Sequence, residues 1–190
     1  GEMNDYHSAD GLESPWHDYA AIVKSVVIGQ GVKTVGSYAF ANLKNLRSVE
    51  INAELKRLGS GAFYGCTALS DLEGIEGVRV IGGECFRGCS GLSAIGIPTG
   101  CTSVGSYAFA GTAIKSVSVP SSVVSLGEGA FASCRKLAYA ELPSGISKVS
   151  ASLFSGCTAL EAFFVKDDGS YGGASLTGRA ALSCGTRGLS

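Results

Sequence analysis

The 190-residue chain has no run approaching the roughly 18 apolar residues that a membrane-spanning helix requires, which predicts a soluble chain with no membrane insertion. It also lacks an excess of either charge. With 15 Lys plus Arg against 16 Asp plus Glu, no basic face long enough to follow a phosphate backbone is expected, which excludes nucleic acid as a partner. There are only two histidines, His7 and His17, and near them only Asp5, Asp10 and Asp18 stand at metal-ligand spacing, so neither zinc nor any other metal is expected. The glycine-rich steps Gly59-Ser60-Gly61 and Gly82-Gly83 lead into neither G-K-[ST] nor a long helix, so they read as turns rather than phosphate loops. The start has no basic stretch followed by an apolar core, as a secretory signal would. Gly1 without a preceding Met points to a processed or engineered start, and the missing signal therefore says little about the native compartment.

What the chain does have is repetition. Val35-Gly36-Ser37-Tyr38-Ala39-Phe40 returns in close copies whose phenylalanines fall at Phe40, Phe63, Phe86, Phe109, Phe131 and Phe154, spaced 23, 23, 23, 22 and 23 apart. A fixed period of this length is the signature of a stacked array. Hydrophobic residues make up 45% of the chain and glycines number 28, which suits a buried core with many tight turns.

Aligned on the phenylalanine, apolar residues recur in columns. Eight before it stand Val32, Leu55, Val78, Cys101, Val123 and Ile146; five before it stand Val35, Leu58, Ile81, Val104, Leu126 and Val149. Six after it comes Leu46, Leu69, Leu92, Leu137 or Leu160, with Ile114 one early in the 22-residue unit. Segments such as Leu46-Arg47-Ser48-Val49-Glu50-Ile51 end in a period-two alternation, which predicts one short parallel strand per coil. Pro98, Pro120 and Pro143 follow these strands and stop the ladder. The third strand, Ser70-Asp71-Leu72-Glu73-Gly74-Ile75, shifts its last apolar residue and lacks the proline, so a bulge is expected there. Gly36, Gly59, Gly82, Gly105 and Gly127 mark a place where the backbone turns sharply or takes positive φ; Ser150 departs. The following G-x-x-A-F-x-x-C segment predicts a single helical or 3-10 turn. Of seven cysteines, Cys66, Cys89, Cys134 and Cys157 share one slot three after the phenylalanine. Because Leu43 and Thr112 also fill that slot, it reads as a buried packing position with free thiols.

Three parts follow. Residues 1–21 carry no copy of the unit and form an N-terminal cap in which Trp16 and Tyr19 lie over the first coil; residues 22–165 form the solenoid; residues 166–190 are a C-terminal cap or a linker.

The units resemble leucine-rich repeats of the BspA-like, or Treponema pallidum, type, with the form L-x-x-V-x-I-P followed by V-x-x-I-G-x-x-A-F-x-x-C. The segment Leu92-Ser93-Ala94-Ile95-Gly96-Ile97-Pro98, taken with Val104-Gly105-Ser106-Tyr107-Ala108-Phe109, matches nearly position by position. The opening Gly1-Glu2-Met3-Asn4-Asp5-Tyr6 with Ser14-Pro15-Trp16 also resembles the start of such arrays in surface proteins of gut bacteria. The resemblance implies an α/β, right-handed leucine-rich-repeat solenoid of about six 23-residue coils, with short parallel strands and helical or 3-10 turns. It further implies a secreted or cell-surface bacterial protein that acts in adhesion, with no catalytic centre and no cofactor.

In such an array the outward strand positions line one broad face. Here they are Ser48, Glu50, Asp71, Glu73, Ser116, Ser118, Tyr139, Glu141 and Phe164. Glu50, Asp71 and Glu73 would form an acidic patch, suited to a basic protein surface, to weak Ca²⁺ binding, or simply to solvation of the strand face. Tyr139 and Phe164 would form an aromatic platform for a sugar or peptide side chain, unless Phe164 packs under the C-terminal cover. The cysteines face inward, away from the histidines, so a Cys-His nucleophile is not indicated and the chain is not expected to be an enzyme. The expected function is a monomeric module that binds a host or bacterial surface or matrix protein, with a glycan as a further option. The alternative is a structural spacer that recognises nothing.

Overall fold

The computed structural model describes residues 1–7, 14–146 and 149–166. The coils contribute strand segments to two parallel faces rather than one. The broad sheet contains β1 (Ser25–Ile28), β3 (Ser48–Ile51), β5 (Asp71–Glu73), β8 (Ser116–Ser118), β10 (Tyr139–Pro143) and β11 (Ala162–Lys166). The narrow sheet is built from two-residue strands: β2 (Thr34–Val35), β4 (Arg57–Leu58), β6 (Val80–Ile81), β7 (Ser103–Val104) and β9 (Ser125–Leu126). Its order β2-β4-β6-β7-β9 runs unbroken through five coils. The column five before each phenylalanine, read only as inward-facing, is thus also a strand.

The broad sheet is broken. Its strands form two groups, β1-β3-β5 and β8-β10-β11. At Ser70 to Ile75, where a bulge was expected, β5 pairs with β3 in register through residues 71–73, Ser48 with Asp71 and Glu50 with Glu73; the irregularity follows the strand, where Gly74 takes φ 83° beside Ile51 and Ile75 enters the core one residue late. The break falls one coil later, at residues 93–97, the unit that matched the repeat best, where no strand forms. The cause lies in the neighbouring coil. Between Phe109 and Ile114 the turn is one residue short, and Ala113 N–H donates to the Leu92 carbonyl at 3.0 Å. The regular step instead joins positions seven after the phenylalanine, as Ser70 N–H does to Arg47 at 3.0 Å. The short turn therefore reaches the sheet out of step with residues 93–97.

The turns are not helical. The 3-10 helix among the described residues is His17–Tyr19, before the repeats. In each of the first five units, residues two before and two after the phenylalanine take left-handed φ: Tyr38 (52°) and Asn42 (59°), Gly61 (60°) and Gly65 (69°), and so on. This alternation turns the N–H groups of Tyr38, Phe40 and Asn42 toward Ser60, Ala62 and Tyr64 of the next coil, at 2.8, 2.8 and 2.6 Å. Bonds that would close a helix are spent between coils instead. The recurring glycines have a different role from the one expected. Gly59, Gly82, Gly105 and Gly127 are not in the positive-φ region; a Cβ on them would stand 2.2–2.6 Å from backbone nitrogen of the preceding coil. They permit close stacking.

The core is a column of rings. Phe40, Phe63, Phe86, Phe109, Phe131 and Phe154 stack with centroids 5.4–6.0 Å apart, and each such pair contributes about 0.5–1.5 kcal/mol beyond its burial. Trp16 extends the column at one end, 6.0 Å from Phe40, and Phe163 at the other, 6.0 Å from Phe154. Tyr19, expected beside Trp16, is mostly exposed instead. The Ser14 hydroxyl is buried and donates to the Ala39 carbonyl at 3.0 Å. Residues 1–7 run beside β2, with Met3 N–H donating to Thr34 and Tyr6 N–H to Ser37.

Beside the rings runs a column of free thiols. Cys66, Cys89, Cys134 and Cys157 donate to the carbonyls of Phe40, Phe63, Phe109 and Phe131 at 3.0–3.1 Å, and all six described cysteines are unbridged. Burial pushes the Cys89 thiol up to about 12 and raises Cys66 and Cys85 well above the ordinary range. Cys134 goes the other way, lowered chiefly by a hydrogen bond with Cys157. Thr112, in the same slot, donates to Phe109 of its own coil at 2.8 Å. The C-terminal part, residues 167–190, with the suggested cap or linker, lies outside the described residues.

Candidate functional site

The outward strand residues fall into two groups, one on each side of the break. On the first, the register sets Val27 opposite Glu50 and Glu50 opposite Glu73, while Ser25, Ser48 and Asp71 form the parallel row. Alternation forces this arrangement, since Val49 and Ile51 point into the core. Glu50, Asp71 and Glu73 are exposed and Ser48 is half-buried. Asn52 donates to the Glu50 carboxylate at 2.8 Å. Like charges directly opposite each other destabilise a strand pair by about 0.2–1 kcal/mol, and no ion pair among the described residues relieves Glu73 or Asp71. Among the described residues no three His, Cys, Asp or Glu lie close enough to hold a metal ion. The patch is a row of separate carboxylates, and the geometry lends the Ca²⁺ option no support.

On the second group, Ser116 pairs with Tyr139 and Ser118 with Glu141; Tyr139 pairs in turn with Ala162 and Glu141 with Phe164. Tyr139 and Phe164 are therefore diagonal neighbours, not a facing pair, at the separation where aromatic side chains still meet. Both are about half exposed, 49% and 54%. The Tyr139 hydroxyl donates to the Glu161 carboxylate at 2.6 Å, and that hydrogen bond raises its pKa. Glu141 is half-buried. The C-terminal cover under which Phe164 was expected as an alternative lies outside the described residues; its neighbour Phe163 points the other way and meets Phe154.

The structure adds a cluster that reading the strand face misses. On the turn side, Tyr38 lies along Gly61, where a Cβ would stand 2.1 Å from its ring, and Tyr107 lies along Gly129 in the same way at 2.4 Å. Tyr38 hydrogen-bonds to Glu84 two coils away, although burial is the larger cause of its raised pKa. Tyr64 meets Tyr38 edge-on at 6.5 Å. Arg87 pairs with Glu84 and sits 5.3 Å from the centre of the Tyr107 ring. The sequence signal was the alternation Tyr38, Gly61, Glu84, Tyr107, Gly129 in one slot.

The unit geometry agrees with a family model described as the BspA type leucine rich repeat region, which matches six copies over residues 18–137 and 69–174. The chain belongs to this family. The BspA-type array resembles a Bacteroides ovatus leucine-rich repeat protein at 28% identity and TM-score 0.67, over 73% of this chain and 39% of that one. It also resembles the Treponema pallidum leucine rich repeat protein at 27% identity and TM-score 0.71, over 85% of this chain and 74% of the other. A Faecalibacterium prausnitzii leucine rich cell surface protein shares the fold at 20% identity and TM-score 0.55, over 87% of this chain and 58% of that one. The chain thus spans about two-fifths of the Bacteroides protein and three-quarters of the Treponema one. No functionally curated protein matches it. Solenoids of this family are generally protein-interaction scaffolds, and no helix among the described residues is long and apolar enough to cross a membrane.

Proposed function

We propose that this BspA-type array is a cofactor-free adhesion module of a bacterial cell surface, which binds a host or bacterial surface or matrix protein through its broad strand face. The observation that carries the reading is the register-paired, exposed Glu50 and Glu73 with Asp71 beside them. A like-charged stack weakens the free protein and is relieved when a cationic partner docks. Tyr139, Glu141 and Phe164 provide a second contact beyond the break, with Ser48, Ser116 and Ser118 as small polar positions between the larger groups. The surface location accords with the Faecalibacterium protein of the same fold.

The test is a binding screen against immobilised matrix and mucosal proteins, followed by the charge reversals Glu50→Lys, Asp71→Lys and Glu73→Lys. A saturable hit is expected, weakened at least about tenfold by the triple reversal. An unchanged affinity removes the strand face from the reading, and silence of the folded chain toward every partner returns it to a spacer.

A further inference from the structure

We infer that the turn-side cluster of Tyr38, Tyr64, Glu84, Arg87 and Tyr107 is a second binding site, independent of the strand face, that takes an extended neutral oligosaccharide. The argument begins with backbone strain. The slot two before each phenylalanine holds φ of 52–60° in every coil from the first to the fifth, and Gly61 and Gly129 occupy it without strain. Tyr38, Glu84 and Tyr107 adopt the same left-handed conformation, which side chains resist. Their side chains do nothing for the backbone: the slot N–H bonds to the next coil are 2.8 Å for Tyr38, Gly61, Glu84 and Tyr107 alike. Glycine would serve the fold at all five places. What the larger residues add is a surface.

The composition of that surface identifies the ligand class. Tyr38 and Tyr107 are half-buried and each lies against glycine backbone of the next coil, with Arg87 over the Tyr107 ring, so each ring is held in place at little entropic cost to a binding event. Aromatic faces accept the C–H faces of pyranose rings, while tyrosine hydroxyls, a carboxylate and a guanidinium exchange hydrogen bonds with sugar hydroxyls. Glu84 and Arg87 neutralise each other, which fits an uncharged ligand better than an ionic one. The cluster is linear as well: Tyr38 and Tyr107 are three coils apart, and the phenylalanine rings of these successive coils stand 5.4–5.5 Å apart, a step of the same order as one sugar unit in an extended chain. Tyr64 and Arg87 lie on the two coils between.

The experiment titrates the full chain with hexamers of β-1,4-linked glucose and of β-1,4-linked N-acetylglucosamine, and with the two monosaccharides, followed by calorimetry and the tyrosine ultraviolet difference spectrum. One hexamer is expected to bind saturably, at least about tenfold more tightly than its monosaccharide, with a tyrosine perturbation. The double variant Tyr38→Gly with Tyr107→Gly, which leaves the slot as Gly61 and Gly129 have it, is expected to lose at least about tenfold in affinity. Arg87→Ser, at an exposed position, is a second variant and is expected to weaken binding about fivefold. The strand-face reversals Glu50→Lys and Glu73→Lys are expected to leave hexamer binding unchanged, so the two sites fail separately. The inference is overturned if neither hexamer binds, if a monosaccharide binds as tightly, or if both the double glycine variant and Arg87→Ser bind as the parent does.

Discussion

The narrow and broad sheets are made by the same coils, yet one is continuous and the other is not. The narrow sheet has strands of only two residues, and it runs from β2 to β9 without a gap. The broad sheet has strands of up to five residues and fails at residues 93–97. Continuity is therefore not decided by strand length. The narrow sheet is flanked by glycines whose missing Cβ lets backbones meet at coil after coil, and its inward residue stands at a constant five before the phenylalanine in every one of its coils. The broad sheet follows the turn after that column, which is where the 22-residue unit lost its residue. A deletion is absorbed at the nearest downstream ladder, so repeat arrays record insertions and deletions asymmetrically across their faces.

The comparison can be broken or sharpened by substitution. The largest effect is expected at the shared ring column: Phe86→Ala, at a fully buried position, should cost about 3–5 kcal/mol in urea unfolding and loosen both sheets together. Next comes Gly82→Ala, whose Cβ would stand 2.5 Å from Ser60 nitrogen. It should cost about 1–3 kcal/mol and shorten amide-exchange protection in the narrow sheet first, at Ile81 and Val104. Protection lost equally in β3 and β5 would show that the two sheets are not separable. In the opposite direction, inserting one residue after Gly111 restores the 23-residue spacing. It should bring exchange protection to residues 93–97 and raise stability by about 1 kcal/mol for each ladder bond formed; an unprotected segment after insertion would place the cause of the break in Gly96 instead. The smallest effect belongs to Glu50→Gln, which relieves the like-charged pair with Glu73. It should stabilise by about 0.2–1 kcal/mol at low salt, and the gain should fade at high salt.

The legible part of the fold was whatever the period carries. The phenylalanines, the cysteine slot and the inward columns are side-chain choices repeated at fixed intervals, and they lie where the spacing placed them with one exception: Val149, expected inward five before Phe154, is 40% exposed, in the unit that also lacks the glycine at Ser150 and forms no narrow strand. The pairing of Glu50 with Glu73 followed from the same arithmetic. What was hidden depends on backbone geometry between coils. Two-residue strands such as Arg57–Leu58 have no alternation to read. Gly82 looks the same in sequence whether it serves positive φ or close approach. The break appears in residues 93–97, whose own pattern is the most regular, because its cause sits in the following turn. Tyr38 and Tyr107 were visible as members of the repeat unit, and that membership concealed their departure from Gly61 and Gly129.

The turn bonds have an electrical consequence. From Tyr38 to Gly111 every coil sends three N–H groups forward to the next coil's carbonyls, and Phe131 and Ser133 send two more. Neighbouring strand bonds alternate in direction and largely cancel, whereas these peptide dipoles all point one way along the solenoid axis and add. The flank thus carries a macrodipole of the kind known in α-helices, but with reversed sense: its partial negative end lies at the first coil and its partial positive end at the last. The buried Ser14 hydroxyl, donating to the Ala39 carbonyl, sits where that negative end emerges, and it does for a stack of turns what a capping side chain does for a helix.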